Sequence, residues 1–296
     1  MNYNTWMSRT QEVLTSNKST TIQPLLQWFG GKWNAQYLLD LIPYSTKYIE
    51  PFGGAACILL QRRVSPIEVY NDLDEHLVNL FRVIRSPEMF DEFAHRVLWT
   101  PHSRKEFELA CDLYFDENPV IRAWAFFIVV NHGLSGMVMP RKSRWSRHTS
   151  STVSDKTSRL DSLFLWRDRL KRVQIENRDA LKLIQEYDSE ETTFYIDPPY
   201  PKSVRVSGEY NVELTDKQHL ELIDLLGSVK GAVVLSSYNS ELYDRLSSFG
   251  WEKLEFETFS YVHVNKTKKS RSPRIEVVWR NKQAKHLLKD VQQNLF

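Results

Sequence analysis

The sequence predicts an α/β protein: a mostly parallel, doubly wound sheet of about seven strands, interrupted by a helical insertion. Three observations predict it. Five short apolar runs are spaced by segments long enough to cross over to a parallel neighbour. Two further runs near the C-terminus lie close enough together to pair as an antiparallel hairpin. Between the second and third runs lies a long stretch with helical patterning and no strand pattern.

The elements follow in order. Residues 1–20 are polar and read as a loosely ordered lead-in. Lys47 to Glu50 is the first strand and Ala55 to Arg63 the helix after it. Ile67 to Asn71 is the second strand. Its helix carries Leu73, Leu77, Leu80, Phe81 and Ile84 on one face. Val173 to Glu176 and Thr193 to Asp197 are the third and fourth strands. Thr215, with Gln218 three residues on, opens a helix by a capping box, and Gly227 closes it. Ala232 to Ser237 is the fifth strand, and Trp251 to Tyr261 with Arg274 to Arg280 the final pair. The α/β domain thus covers 21–85 and 173–281, the helical insertion 86–172, and a tail 282–296. Within the insertion, Asn118-Pro119 starts a helix whose segment Ala123 to Val130 is apolar enough to be buried.

Composition narrows the function classes. The chain is 42% hydrophobic and 26% charged, with a net charge of +2, as in a globular protein with no global electrostatic bias. Its longest apolar run is too short to span a bilayer, and residues 1–21 have no signal-peptide core, so no membrane partner is expected. Two cysteines, Cys57 and Cys111, make neither a disulfide framework nor a metal site; a reducing, cytoplasmic setting is expected.

The most specific signal is Asp197-Pro198-Pro199-Tyr200 at the end of the fourth strand. Two prolines fix the backbone and remove two N–H donors, which frees local carbonyls to accept. With the Asp carboxylate and a Tyr ring, the group suits a planar base bearing an amine. The competing reading is a Pro-Pro turn with a capping Asp and a packed Tyr.

Ligands of doubly wound folds sit at the C-terminal ends of the strands. There the chain places Glu50-Pro51-Phe52-Gly53-Gly54, and 18 residues beyond Gly54, Asp72. An acid so placed can accept from ribose hydroxyls or cap a helix. The loop lacks the dinucleotide pattern G-x-G-x-x-G, which speaks against NAD and leaves an adenosine-bearing cofactor. Trp28-Phe29-Gly30-Gly31-Lys32 is either a tight turn with a surface Lys or a cover for the polar end of that cofactor. Asp179 is placed for a cofactor amine or as a helix N-cap.

Basic charge collects in two loops. From Arg141 to Arg172 there are ten Lys and Arg against three acids, including Arg141, Lys142, Arg144 and Arg147. Thr149 to Ser158 is Ser/Thr-rich, as loops are. Lys268, Lys269 and Arg271 lie in a second basic stretch between the last two strands. Each alone reads as a solvated loop or a phosphate contact. Together, beside a base-holding motif, they favour DNA.

These residues jointly resemble the Dam-type DNA adenine-N6 methyltransferases, which use S-adenosylmethionine. The Trp28 to Lys32 segment looks like that family's W-x-G-G-K, Glu50 to Gly54 its E-P-F-x-G, Asn71-Asp72-Leu73-Asp74 its N-D-x-[DN], and Asp197 to Tyr200 its catalytic motif. Asn131 and Gly133, in Asn131 to Met137, fall where the family has an N-G-L-type recognition segment. The match runs from about Gln27 to Asn281, with Gln27 in place of a frequent basic residue and Ala56 in place of a frequent glycine.

The resemblance implies a Rossmann-like class I methyltransferase fold with 86–172 as the target-recognition subdomain. It implies double-stranded DNA as substrate and no metal. Asp197 and the Pro198 carbonyl would accept the amine of a flipped adenine, with Tyr200 stacked on it. The segment Lys202 to Asn211 would close over the base, and Tyr210 would be a further contact. A restriction endonuclease acting on the same site would be a natural counterpart. Two alternatives stand: a cytosine-N4 methyltransferase, whose motif more often begins with Ser, and a catalytically inactive DNA-binding protein of this fold.

Overall fold

The computed structural model describes residues 22–134, 138–140, 143–146, 162–201, 211–259 and 273–293. The lead-in 1–20 and the loop Thr149 to Ser158 lie outside the described residues. So do Arg141, Lys142, Arg147, Lys268, Lys269, Arg271 and Tyr210.

Strands β1 (Lys47–Glu50), β2 (Ile67–Asn71), β3 (Val173–Glu176), β4 (Thr192–Ile196), β5 (Ala232–Tyr238), β6 (Glu252–Phe259) and β7 (Pro273–Arg280) form one sheet. Its order is β3-β2-β1-β4-β5-β7-β6. Neighbours from β3 through β5 are parallel, and β7 runs antiparallel between β5 and β6. This is the doubly wound sheet the sequence predicts, with the final hairpin added at one side. The order reverses between β1 and β4, which opens a crevice at their C-terminal ends.

Helices on both faces explain why the strands read as continuous apolar runs. The helices among the described residues are α1 (Tyr37–Leu41), α2 (Cys57–Gln61), α3 (Glu75–Arg85), α4 (Pro87–Trp99), α5 (Arg104–Asp112) and α6 (Pro119–His132). They continue with α7 (Leu163–Leu170), α8 (Ala180–Tyr187), α9 (Asp216–Leu226), α10 (Glu241–Asp244) and α11 (Lys282–Gln293). Strand alternation sends Tyr48, Tyr70, Tyr195 and Val234 to one face, against α3 and α6. Ile49, Val69, Phe194 and Val233 go to the other, against α8 and α9.

Among the described residues the insertion does not build a core of its own. Phe90 and Phe93 of α4, Val120 and the run Ala123 to Val130 of α6, and Trp166 of α7 belong to the same apolar cluster as Tyr48 and Tyr70. Helix α6 is apolar nearly all round because it is surrounded by α3, α4 and α5. Asn118 caps it, accepting from Val120 N at 2.9 Å, and Pro119 occupies the first helical position.

Three elements differ from expectation. The helix expected over 55–63 is only Cys57–Gln61, because the Gly53 carbonyl accepts from Ala56 N (2.8 Å) and closes a turn there. Ala56 is left at φ +52°, in the left-handed region. Leu73 lies outside the helix it was expected to line. Asp74 caps α3 by accepting from His76 N, so Leu73 is 40% exposed. Residues 282–293, expected as a tail, are helical. Buried Asn281 caps α11 through Ala284 N (2.9 Å) while tying down Val233 N and Gly231 O of the β5 approach.

Candidate active site

The crevice at the switch point is an open cavity lined by the N-terminal turn and the loops after β1, β2 and β4. Its wall after β1 is the turn at Gly53-Gly54. Gly53 must be glycine for packing: a Cβ there would lie 2.1 Å from the Tyr70 ring. Gly54 adopts φ +49°, and Tyr70 donates to its carbonyl at 2.7 Å. Asn71 bonds the Pro51 carbonyl (2.8 Å) and the Arg178 carbonyl (3.0 Å), joining the loops after β1 and β3.

Two acids form the cavity's floor. Asp72 accepts from Gly54 N at 2.9 Å and from Asp74 N at 2.8 Å, so it shapes both loops. Burial pushes its carboxyl up to about 6. Glu50 is buried and accepts from the Tyr48 hydroxyl at 2.7 Å. Burial pushes it up to about 8, against the lowering effect of that bond.

The opposite wall joins the N-terminal turn to β4. Gly31 N donates to the Trp28 carbonyl (3.2 Å), with Gly30 at φ +73°, and this turns Lys32 inward. The Lys32 ammonium reaches the Gly30 carbonyl (3.0 Å), both oxygens of Asp197 (3.1 Å) and Glu276 Oε1 (3.3 Å). It is therefore no surface lysine at a turn. Asp197 is raised above the ordinary carboxylate range by burial, which Lys32 partly offsets and Glu276 reinforces.

The cavity brings together Trp28, Gly30, Gly31, Lys32, Glu50, Pro51, Phe52, Gly54, Asp72, Asp197 and Pro199 from the residues singled out in the sequence. Others fall elsewhere. Asp179 does not line it; it is exposed and caps α8, accepting from Lys182 N at 3.0 Å. Pro198 and Tyr200 are buried outside the lining. The Tyr200 hydroxyl donates to Glu276 (3.1 Å), and its ring meets Tyr238 edge-on at 4.4 Å, so no open stacking face is presented.

Asn131 departs from the expected DNA contact. It is buried in α6, accepts from Gln27 N (3.0 Å), and donates to the carbonyls of Leu25 (3.2 Å) and Phe127 (3.1 Å). These bonds hold the N-terminal segment that leads to Trp28. Gly133 is also buried: a Cβ would come 2.3 Å from Ser143 Oγ. Arg144 is exposed next to Trp145, whose ring also faces Arg104 at 4.8 Å.

Sequence reasoning missed Asp74 and Tyr195 as lining residues, and it missed Glu276, which meets Lys32 from outside the lining. Asn211 donates to Asp74 Oδ2 at 2.7 Å, which brings the end of the segment after the catalytic motif to the cavity. Glu276 had a signal: one carboxylate inside the apolar strand Ile275-Glu276-Val277-Val278-Trp279.

The sequence model of the D12 class N6 adenine-specific DNA methyltransferases matches residues 28–269, which include every wall of this cavity contributed by a strand end. The chain belongs to this family. No curated protein matches it. Among solved structures, a SAM-dependent O-methyltransferase from Thermotoga maritima is similar, with 10% identity and a TM-score of 0.32, over 92% of this chain and 70% of that one.

Membership makes the protein a DNA methyltransferase with S-adenosylmethionine as donor, and the D12-class cavity fits that group. A ligand bearing a sulfonium and an ammonium suits a floor of two acids, buried Glu50 and half-buried Asp72. Among the described residues neither Glu50 nor Asp72 has an ion-pair partner. Trp28, Phe52 and Leu73 supply apolar surface for an adenosine.

Proposed function

We propose that the chain is a site-specific adenine-N6 methyltransferase in which Asp197 and the Pro198 carbonyl hold the target amine over the cavity. When bound, S-adenosylmethionine supplies an electrophilic methyl group. Glu50, Asp72 and the Trp28 to Lys32 turn hold the donor's side of the site. An adenine amine is a poor nucleophile because its lone pair is delocalised into the ring. Two acceptors, one for each N–H, favour a pyramidal nitrogen and release that lone pair. Positive charge then grows on nitrogen, and the fixed Asp197 carboxylate stabilises it. Burial raises Asp197, which suits it to take the proton the nitrogen loses.

The observation that carries this reading is the position of Asp197, in one cavity with the glycine turn after β1 and the acids at its floor. The base must leave the duplex to reach it, at a cost of a few kcal/mol. The helical insertion 86–172 is the candidate target-recognition unit, with exposed Arg144 and the basic residues around it as phosphate contacts. A restriction endonuclease reading the same site is a counterpart through shared substrate rather than contact. The free thiols Cys57 and Cys111 suit the reducing cytoplasm.

The test is incubation with unmethylated genomic DNA and methyl-labelled S-adenosylmethionine, with nucleoside analysis and mapping of modified positions. Label in N6-methyladenine at a defined motif is the expected result. Label in N4-methylcytosine, or none from protein that binds the donor, would overturn it.

A further inference from the structure

Glu276 is a carboxylate where the sheet has no reason to hold one. It lies on β7, paired with Tyr238 of β5 on one side and Phe256 of β6 on the other, and it is buried. A buried charge costs several kcal/mol unless it is partnered. Its partners are the Lys32 ammonium (3.3 Å) and the Tyr200 hydroxyl (3.1 Å), both joined to the motif that holds the target amine.

The charges explain the arrangement. An ammonium has three donors. Lys32 meets four acceptors: the Gly30 carbonyl, both Asp197 oxygens and Glu276. Paired with Asp197 alone, Lys32 would neutralise it and occupy lone pairs the amine requires. With Glu276 present, two carboxylates share one ammonium, and the cluster is net negative where positive charge must develop. We propose that Glu276 is a positioning residue for methyl transfer: it shares the Lys32 ammonium with Asp197 and anchors Tyr200, so that Asp197 is not fully neutralised and keeps accepting capacity for the target amine. This rests on the role given above to Asp197.

Other ionisable groups around Asp197 do not complicate the charge count. Cys57 is pushed up to about 12 by burial, and Tyr37, Tyr195 and Tyr243 are raised in the same way, so all four stay neutral. Tyr200 donates to Glu276, and a hydrogen bond from it also acts on Asp197 in the lowering direction.

The test is Glu276→Gln, which keeps an acceptor for Tyr200 and removes the charge. Single-turnover methyl transfer to genomic DNA is measured across pH, with donor affinity by calorimetry and Tm in parallel. The expected result is a rate lowered at least about tenfold, with donor Kd within about twofold. The acid limb of the profile should move to lower pH, since Asp197 loses a repelling neighbour. Glu276→Asp should leave that limb in place and recover part of the rate. A Glu276→Gln rate within about twofold of wild type, with an unmoved limb, overturns the proposal. So does a rate loss matched by loss of donor binding and Tm, which would make Glu276 merely structural. Asp197→Asn in the same assay separates the two readings: an active Asp197→Asn variant would sink the role of Asp197 itself, whatever Glu276 does.

Discussion

At the scale of single residues, two positions decide most. Asp197 combines burial with a restrained cation, so its carboxylate is a fixed acceptor. Asp197→Ala should lower methyl transfer by about 10²–10³-fold or more while leaving donor affinity within a few-fold, checked by single-turnover assay and calorimetry. Ala56 shows how sequence and conformation conflict. The resemblance puts a glycine here in many relatives, and the backbone at φ +52° explains why. A Cβ in this region costs roughly 1–2 kcal/mol, partly offset in a glycine variant by unfolded-state entropy. Ala56→Gly should therefore be neutral or up to about 1 kcal/mol more stable in urea unfolding, and Ala56→Val less stable than wild type. The motif residues were legible because their types carry the chemistry. Glu276 was marked only as a lone carboxylate in an apolar strand; its partner was not legible, because only strand pairing brings β7 beside Lys32.

Elements were legible where a short-range rule governs them. The parallel strands were found because burial on both faces leaves apolar runs, and the capping box at Thr215 because both its bonds are local. Helix α11 was missed because its docking depends on Asn281, whose partners lie some fifty residues away on the β5 approach. Asn131 was misread for the same reason. On paper it opens a recognition segment; in the fold its amide bridges α6 to the segment carrying Leu25 and Gln27. Asn131→Ala should cost about 1–3 kcal/mol of stability through the buried groups left unpaired. At temperatures where the variant is folded, its DNA affinity by anisotropy should stay within about twofold. A large selective loss of DNA binding would restore the recognition role.

For the whole molecule, the cavity's acids make stability depend on pH. Glu50 rises from 4.5 unfolded to about 8 folded, so between these values the folded state holds a proton the unfolded state releases. Stability from this group is full below about 4.5 and lost as pH rises through about 8. Asp72, rising from 3.8 to about 6, acts in the same direction. His76, lowered from 6.5 to about 4 by burial, opposes them between those values, so of the three groups only Glu50 still drives a decline between about 6.5 and 8. Glu50→Gln removes the largest contributor. Its Tm should fall less than that of wild type between pH 6 and 8.5, and equal slopes would refute the buried acid. By itself the sequence determined the α/β class, the strand positions and the family, because these depend on local patterning and on residue types whose chemistry admits few substitutes. Only the tertiary structure decided that the insertion shares the sheet's core, that Asp179 is a cap and Asn131 an internal tie, and that Lys32 lies between two carboxylates. Each of those facts is a contact between distant segments, and no rule of spacing along the chain encodes which distant groups will meet.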